Sequence, residues 1–368
     1  MGTEPFTVIV LPGDGIGPEV TGEGVRVLAA AAGICGLDIA FRQFEVGERL
    51  FEATGVYMEQ DAVDACDRGQ AEGNAAILFG AVPFEPIGML RERYDLFANL
   101  RPVRSYPSLS SVSPLKPEVI DGVDLLIVRE LTSDVYYGTS RRGDGGPGVG
   151  AWASQEMYYN EHQVARVAKV AFEQARGRGR RLTFAHKANA ICEVFDVWWN
   201  VLNPMRAEYP DVEFDDLYVD NMAAQLCMRP ADFDVILAPN LFGDILSDMA
   251  GGLLGSLGLL PSASLNASGF GLYEPVSGTA PTIAGMGIAN PIGSILSAAM
   301  LCEHALGRKD ARDLIEDAVR AAVPIYRTKD ITSSEPFSAS TSELGTAVTE
   351  RMHEMAAKGA YSPAADAQ

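Results

Sequence analysis

The chain has 368 residues, 47% of them hydrophobic, and 29 Lys and Arg against 49 Asp and Glu give it a formal charge of −20. That charge repels nucleic acid and anionic membranes, so an anionic substrate has to be met by local basic groups. The length predicts two domains with real cores, and five widely spaced cysteines without a CxxC pair predict reduced thiols in a cytoplasmic protein.

Strand-like and helix-like segments alternate along the chain, which predicts an α/β fold with much parallel sheet. Residues 6–11 read as a buried strand, LPGDGIG at 11–17 as a turn, and 18–32 as a helix with proline at its first position. The turn has the spacing GxGxG rather than GxGxxG, with no acidic residue closing a clear second strand, so no Rossmann unit is assigned. A tight βα turn needing small residues explains it at least as well as a phosphate cradle. Further strands are expected at 38–46, 74–80, 124–131, 181–187, 215–220 and 233–238. The proline- and serine-rich stretch 101–117 reads as a crossover between domains, and RRGDGGPGVG at 141–150 as a loop. A helix is predicted over 161–176, with Val164, Val167, Ala168, Ala171, Phe172 and Ala175 on its apolar face and Asn160 as its cap. The apolar stretch around 249–260 is interrupted by glycines and too short to span a bilayer, and the N-terminus has no secretion-signal pattern. An amphipathic helix is expected over 292–306. One domain inserted into another, with boundaries at 1–99 plus 253–368 and at 100–252, fits this order.

The chemistry concentrates in NLFGDILSD at 240–248, where Asp244 and Asp248 stand four residues apart in an apolar, helical stretch. Both carboxylates then share one helical face, where like charges repel, and a hard cation such as Mg²⁺ or Mn²⁺ resolves the conflict. Asp220, in YVDNMA, is the candidate third oxygen ligand, at the end of an expected strand. Arg129 ends the apolar run DLLIV, and a cation there needs an anionic partner. With Arg91 and Arg101 it forms a candidate clamp for a dicarboxylate. Tyr136 and Lys187 are weak candidates for proton transfer when each is taken alone.

Assembled, these residues resemble the isocitrate/isopropylmalate dehydrogenase family of metal-dependent β-decarboxylating dehydrogenases, closest to its 3-isopropylmalate branch. The motifs are LPGDGIGPEV, DLFANLRP, VRELT, YVDNMA, NLFGDILSD and EPVSGTAPTIAGMGIANP at 274–291, so the similarity covers nearly the whole chain. The resemblance implies a non-Rossmann, two-domain α/β/α fold, with nucleotide bound by the larger domain and metal ligands and the dimer interface in the smaller one. It makes Arg91, Arg101 and Arg129 the carboxylate clamp, with Asp220 also touching substrate, and Asp220, Asp244 and Asp248 the ligands of Mg²⁺ or Mn²⁺. Lys187 and Tyr136 become the catalytic pair, and Glu274, Gly278, Thr279, Ala280, Pro281, Thr282, Ile283 and Asn290 the cofactor-binding positions. It also implies an obligate homodimer in which Lys187 and Asp220 reach into the partner's cleft. The implied reaction oxidises a 2-hydroxy dicarboxylate with NAD, NADP being possible. Lys187 and Asp220 take the hydroxyl proton, CO₂ is lost, and Tyr136 delivers a proton to carbon.

Two departures bear on specificity. The loop VPFEPIGMLR at 82–91 is shorter than in isopropylmalate enzymes, with Phe84 in place of a glutamate and Ile87 and Gly88 in place of leucines. An apolar or small substituent suits it better than a third carboxylate, whose buried charge would lack a partner. Another 2-alkylmalate or a tartrate-like acid remains the alternative substrate. Thr282 stands where NAD-dependent relatives carry aspartate, and Ser277 where many carry histidine. A non-catalytic regulatory subunit of the same fold is the rival reading, against which stand the retained Tyr136, Lys187 and three aspartates.

Overall fold

The computed structural model describes residues 4–83, 85–146, 148–332, 339–359 and 361. In chain order the strands and helices are β1 (Phe6–Gly13), α1 (Gly17–Cys35), β2 (Ile39–Gln43), α2 (Glu48–Thr54), α3 (Gln60–Glu72), β3 (Ala75–Ala81), α4 (Ile87–Arg93), β4 (Ala98–Arg104), α5 (Pro117–Ile120), β5 (Asp124–Glu130), β6 (Ser140–Asp144) and β7 (Ala151–Gln155). They continue with α6 (Glu161–Arg176), β8 (Arg181–His186), α7 (Cys192–Glu208), β9 (Glu213–Tyr218), α8 (Val219–Met228), β10 (Val235–Ala238), α9 (Asn240–Leu254), β11 (Pro261–Leu265), β12 (Gly271–Pro275), α10 (Ile292–His304), α11 (Lys309–Ala322) and α12 (Thr341–Ala357). No helix among the described residues is long and apolar enough to cross a membrane.

The chain divides into two compact units, one of residues 1–96, 104–122 and 251–368, the other of 97–103 and 123–250. In the first unit the strand order is β2-β1-β3-β12-β11, parallel except for β11 against β12. Every residue of β3, AAILFGA, is buried, as a parallel strand covered on both faces requires. Helices α1, α10, α11 and α12 pack together beside it. In the second unit the order is β4-β5-β10-β8-β9, with β5, β10, β8 and β9 mutually parallel. Its helix α6 buries the six predicted apolar residues and is closed by a capping box between Asn160 and Gln163.

Several expectations need correction. Residues 104–122, expected within the inserted domain, group with the first unit, where Arg104 pairs with Glu316 (2.5 Å) and the Ser113 hydroxyl donates to the Leu253 carbonyl (2.6 Å). The stretch read as a loop at 141–150 contains most of β6, which forms an antiparallel hairpin with β7. Both strands are exposed almost throughout, so no period-two alternation announced them. Helix α10 is not amphipathic, because every residue from Ile292 to Cys302 is buried. Its serines look like a polar face in the sequence, yet the Ser297 hydroxyl is satisfied internally by the Gly293 carbonyl (2.8 Å). Asp220 does not close a strand: β9 ends at Tyr218, and Asp220 lies in the first turn of α8.

Candidate active site

Arg129 occupies the penultimate position of β5 with 2% of its surface exposed. Its Nε and Nη2 donate to the Asn240 side-chain oxygen at 2.9 and 2.7 Å, and its Nη1 donates to Asp244. A guanidinium buried this deeply is tolerable only with such partners. Gly243 permits the approach, since a Cβ there would fall 2.7 Å from the Arg129 side chain. The neighbouring Arg101, on β4, donates from Nη1 to Asp248 (2.9 Å) and to the Ser247 hydroxyl (2.7 Å), and lies 3.7 Å from Asp244. The positive charge expected between the two aspartates is therefore supplied, in this chain, by guanidinium groups.

Tyr136 follows on a short turn after β5. Its hydroxyl donates to Asp244 Oδ2 (2.7 Å), and its half-exposed ring lies 5.4 Å from the Arg129 guanidinium carbon. Burial pushes the Asp248 carboxyl above the usual range; Arg101 opposes that, and the Asp244 charge adds to it. The environment thus still disfavours a second negative charge, and the available donors are carboxylate oxygens. That donor set fits a hard divalent cation.

Lys187, just after β8, donates from Nζ to Asp220 Oδ1 at 2.5 Å and lies 5.8 Å from the Tyr218 ring centre. The lysine hydrogen bond holds the Asp220 carboxyl below the usual range. Among the described residues no three His, Cys, Asp or Glu side chains gather into a group able to hold a metal ion. Within one chain, then, Asp244 and Asp248 are brought together and Asp220 is not added to them.

In the first unit Arg91, on α4, donates from Nη2 to Glu274 (3.1 Å), while its buried Nε has no partner among the described residues. An orphaned guanidinium N–H of this kind suits an incoming carboxylate. Ile87, one turn back on α4, packs against the core around Ile77, Phe79 and Leu90; Phe84 lies outside the described residues. Glu274, expected at the cofactor, is 8% exposed on β12 and holds Arg91.

The loop after β12 is fastened to the glycine turn. The Ile16 N–H donates to the Thr279 carbonyl (2.9 Å), and Gly15, at φ 60°, lies so close that a Cβ would sit 2.0 Å from that carbonyl oxygen. The glycines therefore serve a tight turn and a close backbone approach. Ala280 and Ile283 pack against Ile16, Val20 and Ala289, which leaves Gly278, Pro281 and Thr282 exposed. Ser277 Oγ is buried without a partner among the described residues, a polar group that suits a nucleotide. The Asn290 amide is already engaged, donating to Asp330 (3.0 Å) and accepting from the Ile292 N–H (3.0 Å).

Residues 7–348 match the isocitrate/isopropylmalate dehydrogenase family. The chain belongs to that family. It is 44% identical to 3-isopropylmalate dehydrogenase of Symbiobacterium thermophilum, over 96% of this chain and all of the relative. Against 3-isopropylmalate dehydrogenase of Aquifex aeolicus the identity is 40%, covering 97% of this chain and 99% of the relative. Among solved structures, isocitrate dehydrogenase from Methylococcus capsulatus superposes with a TM-score of 0.82 at 32% identity, over 94% of this chain and 99% of that one. A β-decarboxylating dehydrogenase from Thermococcus kodakarensis gives 0.76 at 33%, over 96% and 97%. The fold is that of the isocitrate/isopropylmalate dehydrogenases, two-domain and non-Rossmann.

Three residues that shape this family member's site escaped the sequence reading. Asn240 opens the NLFGDILSD motif and anchors Arg129, which its position in that motif could have signalled. Asp134 looks like an ordinary turn residue. Glu19 looks like a carboxylate favoured by a helix start, yet it accepts from the N–H groups of Gly285 (2.5 Å) and Gly287 (3.0 Å), which nothing local in the sequence connects to it.

Proposed function

We propose that this protein oxidatively decarboxylates a 3-substituted malate, 3-isopropylmalate first among them, using NAD and Mg²⁺ or Mn²⁺. The observation that carries the reading is the meeting of Arg101, Arg129, Tyr136, Asp244 and Asp248 in one cluster. The relatives named 3-isopropylmalate dehydrogenase, at 40–44% identity over nearly the whole chain, support the substrate class.

Arg91, Arg101 and Arg129 bind the substrate carboxylates, and Asp244 and Asp248, with Asp220 of a second copy, hold the cation. When bound, the cation supplies positive charge to the developing oxyanion and the nicotinamide accepts the hydride. Lys187 and Asp220 carry the hydroxyl proton toward solvent, a role supported by their 2.5 Å contact. The carbon–carbon bond to the β-carboxylate then breaks, CO₂ leaves, and the electron pair stays on the substrate as an enolate. Tyr136 gives its phenolic proton to the enolate carbon and is reprotonated from water, to which its half-exposed ring has access. The products are a 2-oxo acid, CO₂ and NADH, which balance the malate and NAD consumed.

A homodimer with shared sites accounts for the isolation of Asp220 from Asp244 and Asp248. The exposed loop of Pro281 and Thr282 is the cofactor face, and neutral Thr282 offers no cation to a 2′-phosphate, favouring NAD over NADP. Purified protein with Mn²⁺, each nicotinamide and a panel of 3-substituted malates tests the reading. 3-Isopropylmalate with NAD is expected to give the highest kcat/KM; a strong preference for isocitrate would overturn it.

A further inference from the structure

Asp134 is fully buried at a φ of 73°, in the left-handed region that favours glycine. Such strain persists in a non-glycine residue only where its surroundings over-determine it. Here they do. The Val135 N–H donates to Oδ1 (2.7 Å), and the Leu241 N–H (3.1 Å) and Tyr159 hydroxyl (3.0 Å) donate to Oδ2. The Tyr159 oxygen in turn accepts from the Asn240 N–H (2.9 Å). One carboxylate therefore grips both the first turn of α9 and the short turn 134–136 that carries Tyr136. At the other end of that turn the Tyr136 hydroxyl meets Asp244, about one helical turn along α9 from Leu241. The turn and the helix are joined at two points, one through each side chain.

We propose that Asp134 is a positioning residue that sets the Tyr136 hydroxyl against Asp244 and thereby governs proton delivery to the decarboxylated carbon. The proposal rests on the reading of Tyr136 as the proton donor. An amide cannot replace the carboxylate, because in either orientation its NH₂ faces a donor: the Leu241 N–H and Tyr159 hydroxyl on one side, or the Val135 N–H on the other.

The test is a double-mutant cycle of Asp134→Asn and Tyr136→Phe, assayed with Mn²⁺, NAD and 3-isopropylmalate. Asp134→Asn is expected to slow formation of the decarboxylated 2-oxo acid roughly 10²-fold, the scale of an ångström-sized misplacement. The substrate KM and Mn²⁺ affinity should stay within about twofold of the parent, and in the Tyr136→Phe background the substitution should add no more than about twofold. Equal losses in both backgrounds, or a matching loss of Mn²⁺ binding, would overturn the proposal. Asp134→Gly keeps the left-handed backbone without the acceptor and guards against misfolding of the first variant; it should behave like Asp134→Asn, and parental kinetics would count against the carboxylate. If the parent turns over none of the malates, the proposed function fails, and amide exchange decides the positioning separately. Asp134→Asn should then speed exchange at 134–138 and 240–242, and unchanged exchange there would overturn it.

Discussion

Asp248 and Asp220 lie in the same unit on neighbouring helices of the sequence, and their surroundings act on them in opposite directions. Asp248 shares a helical face with Asp244, and burial lifts its carboxyl even though Arg101 lies 2.9 Å away. Asp220 is more exposed, and the hydrogen bond from Lys187 holds its carboxyl low. The difference teaches that desolvation, and not the count of nearby charges alone, sets the direction in which each carboxyl moves. Asp220 has one lysine partner near the surface, whereas Asp244 and Asp248 are matched by two arginines and Asp248 is still lifted, because its carboxylate is partly withdrawn from water.

The sharpest way to break this comparison is to remove one member of each group. Lys187→Ala is expected to lower kcat about 10³-fold with Mn²⁺ affinity retained, the scale of a lost acid–base group. Asp244→Asn should lose activity by a similar factor and lose Mn²⁺ binding too, measured by electron paramagnetic resonance; equal Mn²⁺ affinity in both variants would contradict the division. A smaller effect belongs to the first unit. Glu19→Gln weakens the hold on Gly285 and Gly287 and should raise the dissociation constant for NADH roughly tenfold, the scale of one charge-assisted bond, with the KM for malates unchanged.

The smallest effect is on stability, and its sign follows from the raised Asp248 carboxyl. A carboxylate whose folded-state affinity for protons exceeds its unfolded one costs stability at neutral pH, and that cost fades as pH falls through its raised value toward the ordinary value of about 3.9. Asp248→Asn should therefore stabilise the metal-free protein at pH 7 by less than about 1 kcal/mol for so exposed a group, seen as a higher melting temperature, and the gain should shrink in acid. For Asp220 the sign reverses: its contribution is present above the ordinary aspartate value and is lost as pH falls through its lowered one. A melting temperature that drops in Asp248→Asn at pH 7 would mean that the Arg101 contact outweighs burial.

How much of this was legible in the sequence depended on how local each signal was. The α6 face and cap were readable because spacing, capping residue and burial all fall within one helix. The Asp244 and Asp248 pair was readable as a charge conflict for the same reason. What resolves the conflict within the chain, Arg101 from β4 and Arg129 from β5, comes from strands distant in sequence, so spacing alone could name the need but not the partner. Glu19 and Asp134 were missed on the same ground, since each acts through backbone N–H groups more than a hundred residues away. The β6–β7 hairpin was missed and the α10 helix was foreseen with the wrong character from opposite causes, exposure almost throughout in one and burial from Ile292 to Cys302 in the other: neither has two faces in different environments, and amphipathic period is the signal that reading depends on.

The central claim is that the acid–arginine cluster of one copy works with the Lys187–Asp220 pair of another. Hybrid dimers of one Lys187→Ala chain and one Asp244→Asn chain, carrying different tags and purified through both, test it directly. The hybrid keeps one complete site, so about half of the parental NADH and CO₂ formation from 3-isopropylmalate is expected, although each homodimer is inactive. A hybrid as inactive as the two homodimers would contradict the claim and place the whole site within a single chain.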